Sequence, residues 1–257
     1  MIEFSVVIPA FNEADKISTT VNQVLSFMRA FSPSFELIVV DDGSSDNTTK
    51  IVEGMTAENP ELKLIKNPHK GKGFTVWTGV TKSQGELIYT ADADLSAPIS
   101  ELKKLTVWVK DQNFDIVIAS REGVGAERIG EPFYRHLMGR IFNYWVQFMA
   151  LPGISDSQCG FKLYRRKAAL DIFSRLQIYG EGAKEIKVAY VGAWDVEVLY
   201  LAKKLRYTIK QVPVAWTYVK TTRINPINDS IKMLLDVIKI RFNDMRGKYG
   251  SAQNSLY

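Results

Sequence analysis

Short runs of β-branched residues alternate with amphipathic segments along the first half of the chain, and this alternation constrains the fold more than any other feature. Apolar runs bounded by turn residues are typical of buried strands, and apolar residues at helical spacing fill the segments between them. Strands that alternate with helices predict an α/β fold, a mostly parallel sheet with helices on both faces. The predicted strands lie at residues 4–8, 35–40, 62–65, 87–90 and 115–119.

The second half of the chain is richer in long amphipathic helices. Its sequence predicts a flexible loop at residues 123–126 and a strand at 209–218, whose Pro213 favours a sheet edge or a bulge. We see no internal repeat and no linker, so we expect a single domain over residues 1–257. The predicted helices of this half lie at residues 133–149, 168–176, 194–204 and 230–245.

Composition and charge narrow the class of protein. The single cysteine, Cys159, leaves no internal disulfide and fits a reducing compartment. The first residues lack the basic region of a secretory signal, and no apolar run is long enough to predict a transmembrane helix. The net charge of +5 suits an anionic substrate or an anionic membrane surface. Aromatic residues are not interleaved with basic clusters, so we expect no nucleic-acid partner.

Polar residues follow four of the predicted strands at the point where each strand ends. Residues 9–13 follow the first strand, and Asp42 follows the second. Asp92 and Asp94 follow the fourth strand, and Arg121 follows the fifth. Because ligands bind parallel sheets beyond the carboxyl ends of the strands, these residues predict a functional site at one edge of the sheet.

Asp92 and Asp94 are the candidates for a metal site. Carboxylates at positions i and i+2 of an extended strand point to the same side, and oxygen ligands suit Mg²⁺ or Mn²⁺. A cation held there would clamp a diphosphate. An isolated pair of this kind is more often a solvated turn that caps a helix. The row of polar strand ends is what favours the metal site in this chain.

Several motifs together resemble the family 2 glycosyltransferases, which have the Rossmann-like GT-A fold. The second half resembles the polyprenyl-phosphate glycosyltransferases, in particular the dolichyl-phosphate β-glucosyltransferase branch. The resemblance covers nearly the whole chain. Its motifs are residues 7–13, 40–44, 71–73, 92–96 and 120–121 in the first half, and residues 156–164, 194–199 and 212–216 in the second.

The resemblance implies a nucleotide-sugar site in residues 1–122 and an acceptor site in residues 123–257. In the family the first loop lies along the nucleoside, and the carboxylate at Asp42 accepts from the base or ribose. Asp94 is then the direct metal ligand, and Asp92 holds the ribose or water around the metal. The nucleotide-sugar-binding residues implied are Pro9, Phe11, Glu13, Asp42, Lys72, Asp92, Ala93, Asp94 and Arg223.

The reaction implied is the inverting transfer of a sugar, with glucose from UDP-glucose expected, to a polyprenyl or dolichyl phosphate. An acceptor phosphate is ionised near neutral pH, so it needs positive charge rather than a general base. Arg121 and Arg135 match family arginines and would grip that phosphate bidentately. The catalytic residues implied are Asp94, Arg121 and Asp195. With a phosphate acceptor, Asp195 would instead bind sugar hydroxyls or stabilise the start of its helix.

Other activities fit the same resemblance. They are mannosyl transfer from GDP-mannose to dolichyl phosphate, transfer to a hydroxyl with Asp195 or Glu197 as general base, and a non-catalytic sugar-nucleotide sensor or scaffold. A polyprenyl acceptor lies in a bilayer, and the amphipathic segments 133–149 and 231–245 would lie at its surface. A membrane-anchoring partner subunit is another route to that location. We therefore expect a cytoplasmic protein that is peripheral on the cytoplasmic face of a membrane.

Overall fold

The structure is a computed structural model that describes residues 1–219 and 226–250, and of residues 226–228 only the backbone. Its strands are β1 (Phe4–Ala10), β2 (Phe35–Asp41), β3 (Leu62–Lys66), β4 (Leu87–Thr90), β5 (Ile116–Ser120), β6 (Glu127–Ile129), β7 (Lys162–Arg165), β8 (Ile209–Pro213) and β9 (Ala215–Thr217). Its helices are α1 (Ile17–Phe31), α2 (Thr48–Thr56), α3 (Lys72–Lys82), α4 (Leu102–Lys110), α5 (Phe133–Met149), α6 (Arg166–Phe173), α7 (Trp194–Lys204) and α8 (Pro226–Met245).

Seven strands form one twisted sheet in the order β3-β2-β1-β4-β7-β5-β8. Every neighbouring pair is parallel except the two that involve β7, which runs antiparallel to β4 and to β5. Buried apolar side chains form one core on each face of the sheet, with Val6 and Ile8 on one face and Val7 on the other. The predicted α/β class is therefore confirmed.

The register of the central strands brings three chain segments to one edge of the sheet. Ala10 of β1 pairs with Asp41 of β2, and Val7 pairs with Thr90 of β4. Two further backbone bonds extend this alignment: Asp42 N–H donates to the Ala10 carbonyl at 2.9 Å, and Ala91 N–H donates to the Val7 carbonyl at 3.0 Å. The residues that follow β1, β2 and β4 therefore lie side by side.

The predicted strand at 209–218 is wrong as one continuous element. It breaks at Val214 into β8, which forms the edge of the main sheet, and β9, which pairs with β6 in a second sheet of two parallel strands. Pro213 ends the edge strand, as its missing N–H predicts. The short strand β6 was not predicted and follows directly on the loop expected at 123–126. The break lets the chain leave the sheet.

The helices α5 and α8 pack against each other and leave apolar side chains exposed. Helix α5 has the predicted bounds, and α8 begins at Pro226 rather than at residue 230. Among the described residues, no helix combines the length and the apolar character needed to cross a membrane.

Candidate active site

A cleft of about 430 Å³ opens at the carboxyl ends of β1, β2 and β4. The cleft is lined by the loops after these strands and by a segment of the second half, residues 189–191. Arg121, Arg135 and Asp195 are not among the lining residues, and Arg223 lies outside the described residues. The predicted residues that line the cleft are Pro9, Phe11, Glu13, Asp42, Lys72, Asp92, Ala93 and Asp94.

Asp92 and Asp94 lie together at the end of β4, as the strand exits the sheet. Lys72 Nζ, from the start of α3, donates to Asp92 Oδ1 at 2.5 Å. Asp94 Oδ1 accepts from the Ser96 backbone N–H at 2.9 Å. A side chain at Gly160 would place its Cβ 2.5 Å from Asp92 Oδ1, so the absence of a side chain there makes room for the carboxylate. Burial, and then the neighbouring Asp92, raise the pKa of Asp94.

The donor set at this position fits a hard divalent cation. Two aspartates that line the same cleft and repel each other would be stabilised by a positive ion between them. No group of three His, Cys, Asp or Glu side chains that could hold a metal occurs among residues 1–219 and 226–250. Mg²⁺ retains several water ligands and often takes only one or two protein carboxylates, so a third protein ligand is not required.

Asp41 and Asp42 have different roles in the turn after β2. Asp41 Oδ2 accepts from the backbone N–H groups of Gly43 at 3.1 Å and Ser44 at 3.0 Å. Asp42 Oδ1 accepts from the Lys70 N–H at 2.9 Å, and Asp42 Oδ2 accepts from the Gly71 N–H at 2.9 Å. The Asp42 carboxylate therefore also fixes the loop before α3, a structural role that the sequence did not predict.

His69 is a cleft residue that the sequence analysis missed. Its ring stacks on Phe11 with centroids 4.2 Å apart and an interplanar angle of 6°, and its Nδ1 lies 2.9 Å from Asp42 Oδ2. The signal in the sequence was a histidine two positions before the first of the glycines at 71 and 73. The cleft is also lined by residues that only the tertiary fold brings there: Ala10, Asp15, Lys16, Thr75, Ala189, Tyr190, Val191, Val219 and Asp229.

Asp195 lies in the core, at the start of α7. The fully buried Lys162 donates to the Asp195 carboxylate and to the Cys159 carbonyl. Burial raises the pKa of Asp195, and Lys162 and Lys72 offset part of that effect. The Asp195 carboxylate is thus the ion-pair partner of Lys162, and Lys72 and Asp92 are near enough to influence its charge. Asp195 does not line the cleft, where a catalytic residue was expected.

Glu197 holds three chain segments together. Its carboxylate accepts from the backbone N–H groups of residues 177 (2.9 Å), 178 (3.0 Å) and 179 (3.2 Å), and from the Tyr249 hydroxyl at 2.7 Å. A carboxylate with this many donors and no exposed surface stabilises the fold. The geometry argues against Glu197 as a general base.

Arg121 forms a two-pronged ion pair with Asp156. Arg121 Nε and Nη2 each donate to one oxygen of the Asp156 carboxylate at 2.8 Å, and the Arg121 backbone N–H donates at 2.9 Å. Although burial opposes ionisation, Arg121 holds the pKa of Asp156 well below its usual range. Two donors of the guanidinium fork therefore bind Asp156. The bidentate grip on an acceptor phosphate that the resemblance implied for Arg121 stays a prediction.

Arg135 also lies away from the cleft lining. Its Nη1 donates to the Tyr218 hydroxyl at 2.9 Å, and its guanidinium lies 5.0 Å from the centre of the Tyr218 ring. One hydrogen bond leaves further donors on the guanidinium, so Arg135 retains the chemistry to bind a phosphate. Its predicted role in acceptor binding stays a prediction.

The sheet order, the cleft at the strand ends and the carboxylate pair define a glycosyltransferase of the GT-A class. More particularly, the chain belongs to glycosyl transferase family 2, whose sequence profile matches residues 5–173. Two solved structures share the fold. They are glucosyl-3-phosphoglycerate synthase from Mycobacterium tuberculosis with Mn²⁺ and UDP (TM-score 0.62, 18% identity, 97% of this chain and 81% of that one) and mannosyl-3-phosphoglycerate synthase from Rubrobacter xylanophilus (TM-score 0.65, 17% identity, 100% and 79%).

Similar sequences carry a more specific name. A dolichyl-phosphate beta-glucosyltransferase of Dictyostelium discoideum is 32% identical over 96% of this chain and 76% of its own length. The Homo sapiens protein of the same name is 31% identical over 96% of this chain and 77% of its own length. The resemblance seen in the motifs is therefore confirmed over nearly the full chain.

Proposed function

We propose that this enzyme transfers glucose from UDP-glucose to a dolichyl or related polyprenyl phosphate, with inversion at the anomeric carbon. The observation that carries the proposal is the cleft in which Asp92, Asp94 and Lys72 meet, in a chain about one third identical to dolichyl-phosphate glucosyltransferases. The nucleotide-sugar would lie along Pro9, Phe11 and its neighbours.

A divalent cation at Asp92 and Asp94 is part of the proposal. When bound, Mg²⁺ or Mn²⁺ supplies positive charge that stabilises the departing diphosphate. Lys72 supplies a second positive charge at the same place. Although burial opposes it, Asp92 and Asp195 raise the pKa of Lys72, so this side chain stays charged at neutral pH.

The contacts of the acidic residues in the second half favour a phosphate as the acceptor. The two acidic residues that would act as general base on a hydroxyl acceptor are both engaged, Asp195 with Lys162 and Glu197 with three backbone N–H groups. A phosphate oxygen is already an anion and needs no proton removed, so the proposed reaction requires neither. Residues 1–122 would supply most of the donor site and residues 123–257 the acceptor site, with residues 189–191 reaching across to the donor.

Two exposed apolar stripes support a position at a membrane surface. Helix α5 exposes residues on one side, with Phe133 79% and Phe148 86% accessible, and α8 exposes a second set at helical spacing. Exposed basic residues such as Lys232, Lys239 and Arg246 accompany the stripe on α8. Apolar and basic groups on one helix are typical of interfacial helices on anionic bilayers. The two stripes comprise Phe133, Tyr134, Leu137, Ile141, Tyr144 and Phe148, and Ile231, Leu235, Ile238, Phe242 and Met245.

Replacing Phe133 and Phe148 together with serine is expected to weaken binding to anionic vesicles by at least about tenfold. Burial of one phenylalanine contributes about 1.5–3 kcal/mol, and a tenfold change in affinity corresponds to about 1.4 kcal/mol. Loss of two rings that both enter the bilayer should therefore weaken binding by more than tenfold. Co-sedimentation with phosphatidylserine-containing vesicles measures the effect. Val107→Ser, which removes an exposed apolar residue on α4, is the control. Unchanged vesicle binding by the double variant would mean that α5 does not contact the membrane surface.

A thermal-shift series tests the donor. UDP with Mg²⁺ or Mn²⁺ at about a hundred times its Kd should add about 2.7 kcal/mol to the free energy of unfolding. For a chain of this size that corresponds to a Tm increase of roughly 5–10 °C. Without the cation the increase should be much smaller. A shift with GDP and none with UDP would favour the mannosyl donor, and no shift with any nucleotide would refute the site.

A further inference from the structure

The imidazole of His69 makes two contacts inside the cleft, a ring stack and a hydrogen bond, that an aromatic ligand could also make. Its ring is nearly parallel to the Phe11 ring, with the centroids 4.2 Å apart, so the two rings are stacked. Its Nδ1 lies 2.9 Å from Asp42 Oδ2 and 3.1 Å from the Asp42 carbonyl oxygen. Because both of these neighbours are acceptors, Nδ1 carries the proton and donates it.

A flat ring that stacks on a phenylalanine and donates an N–H to a carboxylate has the recognition chemistry of a nucleobase. A base such as uracil or guanine offers the same two features, an aromatic face and a ring N–H. Phe11 and Asp42 both line the cleft, together with His69 itself. Asp42 also accepts from the backbone N–H groups of residues 70 and 71, which the loop fixes in place. Movement of the ring would free one acceptor position on Asp42 Oδ2.

The stacked position leaves His69 incompletely satisfied. Its Nε2 is buried and has no hydrogen-bond partner among the residues that the structure describes. A buried acceptor without a donor costs free energy, so this rotamer is less stable than its stacking suggests. The backbone is anchored, because the His69 carbonyl accepts from the Ile186 N–H at 2.9 Å. Rotation of the side chain alone is therefore the available movement.

We propose that His69 occupies the position of the donor nucleobase on Phe11 and Asp42, and that the base replaces the imidazole when the nucleotide binds. His69 is then a residue that sets the affinity of the cleft for nucleosides. This proposal rests on the proposed function, since it requires a nucleotide donor in this cleft.

Isothermal titration of His69→Ala tests the proposal. With Mg²⁺ present, the variant should bind UDP and uridine about fivefold more tightly than the wild type, because one hydrogen bond to Asp42 no longer has to be exchanged. Affinity for inorganic pyrophosphate should not change. The other histidine of the chain, His136, lies on α5 outside the cleft, and His136→Ala is the matched control.

The possible results separate the two proposals. Weaker binding of UDP and uridine by His69→Ala, with normal binding by the wild type, would overturn the His69 proposal and leave the donor assignment intact. That result would make His69 a stacking platform. If no nucleotide binds to either protein, the donor assignment fails and the His69 proposal fails with it.

Proton NMR of the wild-type protein provides a test that needs no variant at His69. The ring protons of His69 lie over the Phe11 face and should resonate upfield of their usual position. Saturation with UDP should move them downfield, toward the unstacked position, if the base replaces the imidazole. A larger upfield shift would mean that the base stacks on His69, and would overturn the proposal. His136→Ala identifies the second set of histidine signals.

Discussion

Asp94→Asn is expected to lower glucosyl transfer by about a thousandfold or more. A divalent cation at this site contributes several kcal/mol of charge stabilisation in the transition state, and each 1.36 kcal/mol corresponds to about tenfold in rate. Asparagine has the same shape as aspartate but lacks the charge that would hold the cation. Initial rates with UDP-glucose and a polyprenyl phosphate, measured over a range of Mg²⁺ concentrations, give the loss directly.

The same substitution should stabilise the protein when no metal is present. Burial and Asp92 raise the pKa of Asp94, so the folded state binds more protons than the unfolded state between the ordinary carboxylate pKa and the raised one. Stability due to this group therefore falls as the pH rises through that interval and stays low above it. Asp94→Asn removes the buried charge, and urea unfolding in EDTA at neutral pH should show a higher midpoint than the wild type.

Loss of activity together with a gain in stability separates a functional carboxylate from a structural one. Asp111→Asn, at the exposed end of α4, is the control and should change neither property. Asp92→Asn should also impair transfer, and in addition it removes the negative charge that pairs with Lys72 at 2.5 Å. The opposite result is a metal-free Asp94→Asn protein that is less stable than the wild type and whose transfer rate falls only as far as its folded fraction falls. That result would mean that Asp94 serves only to support the turn.

The main sheet could be predicted because most of its strands are apolar runs that are followed by proline or by polar and charged residues. Those runs place Asp42, Asp92 and Asp94 at strand ends, and parallel pairing brings strand ends together whatever the exact strand order. Strands β6 and β9 are too short to show a period in the sequence. The antiparallel insertion of β7 between β4 and β5 depends on long-range packing that no local pattern reveals.

The site residues that lie within the sequence motifs were predicted, and the contacts that only the tertiary fold creates were missed. The cleft residues after β1 and β4 follow directly from the motifs. Arg121 and Asp156 are 35 positions apart, and the sequence cannot show that each satisfies the other. The same holds for His69, whose stacking on Phe11 requires the loops after β1 and β3 to meet. An arginine near a strand end has the same appearance in a sequence whether it binds a ligand or a buried carboxylate.

Arg121→Gln is expected to destabilise the fold by about 3–5 kcal/mol, because it leaves Asp156 buried without a counter-charge. Arg29→Gln is the matched control. Arg29 also forms a two-pronged pair, with Glu61, but on the surface, and its loss should cost less than about 1 kcal/mol. Denaturant unfolding at pH 7 compares the two. Equal effects would mean that the Arg121–Asp156 pair is not buried in solution.

The pH dependence of the same proteins provides a second measure. Arg121 holds the pKa of Asp156 below that of the unfolded chain, so its contribution to stability is present above the ordinary carboxylate pKa. That contribution declines as the pH falls through this value toward the depressed one. A protein that carries both Arg121→Gln and Asp156→Asn lacks the ionisable pair. Its stability should therefore fall less steeply in acid than that of the wild type.

The double variant also decides what Arg121 does in the reaction. Glutamine and asparagine can form a neutral hydrogen bond where the ion pair was, and the asparagine at position 156 can still accept from the backbone N–H of residue 121, so most of the lost stability should return. If Arg121 serves to hold Asp156 and to pack against Trp216, 5.2 Å from its guanidinium, glucosyl transfer should return with the fold to within about tenfold of the wild-type rate.

An arginine that grips the acceptor phosphate predicts the opposite. The double variant would then be folded, would bind UDP normally, and would show a large increase in KM for the lipid phosphate. The geometry favours the first result, because the two donors that would form the grip already bind Asp156.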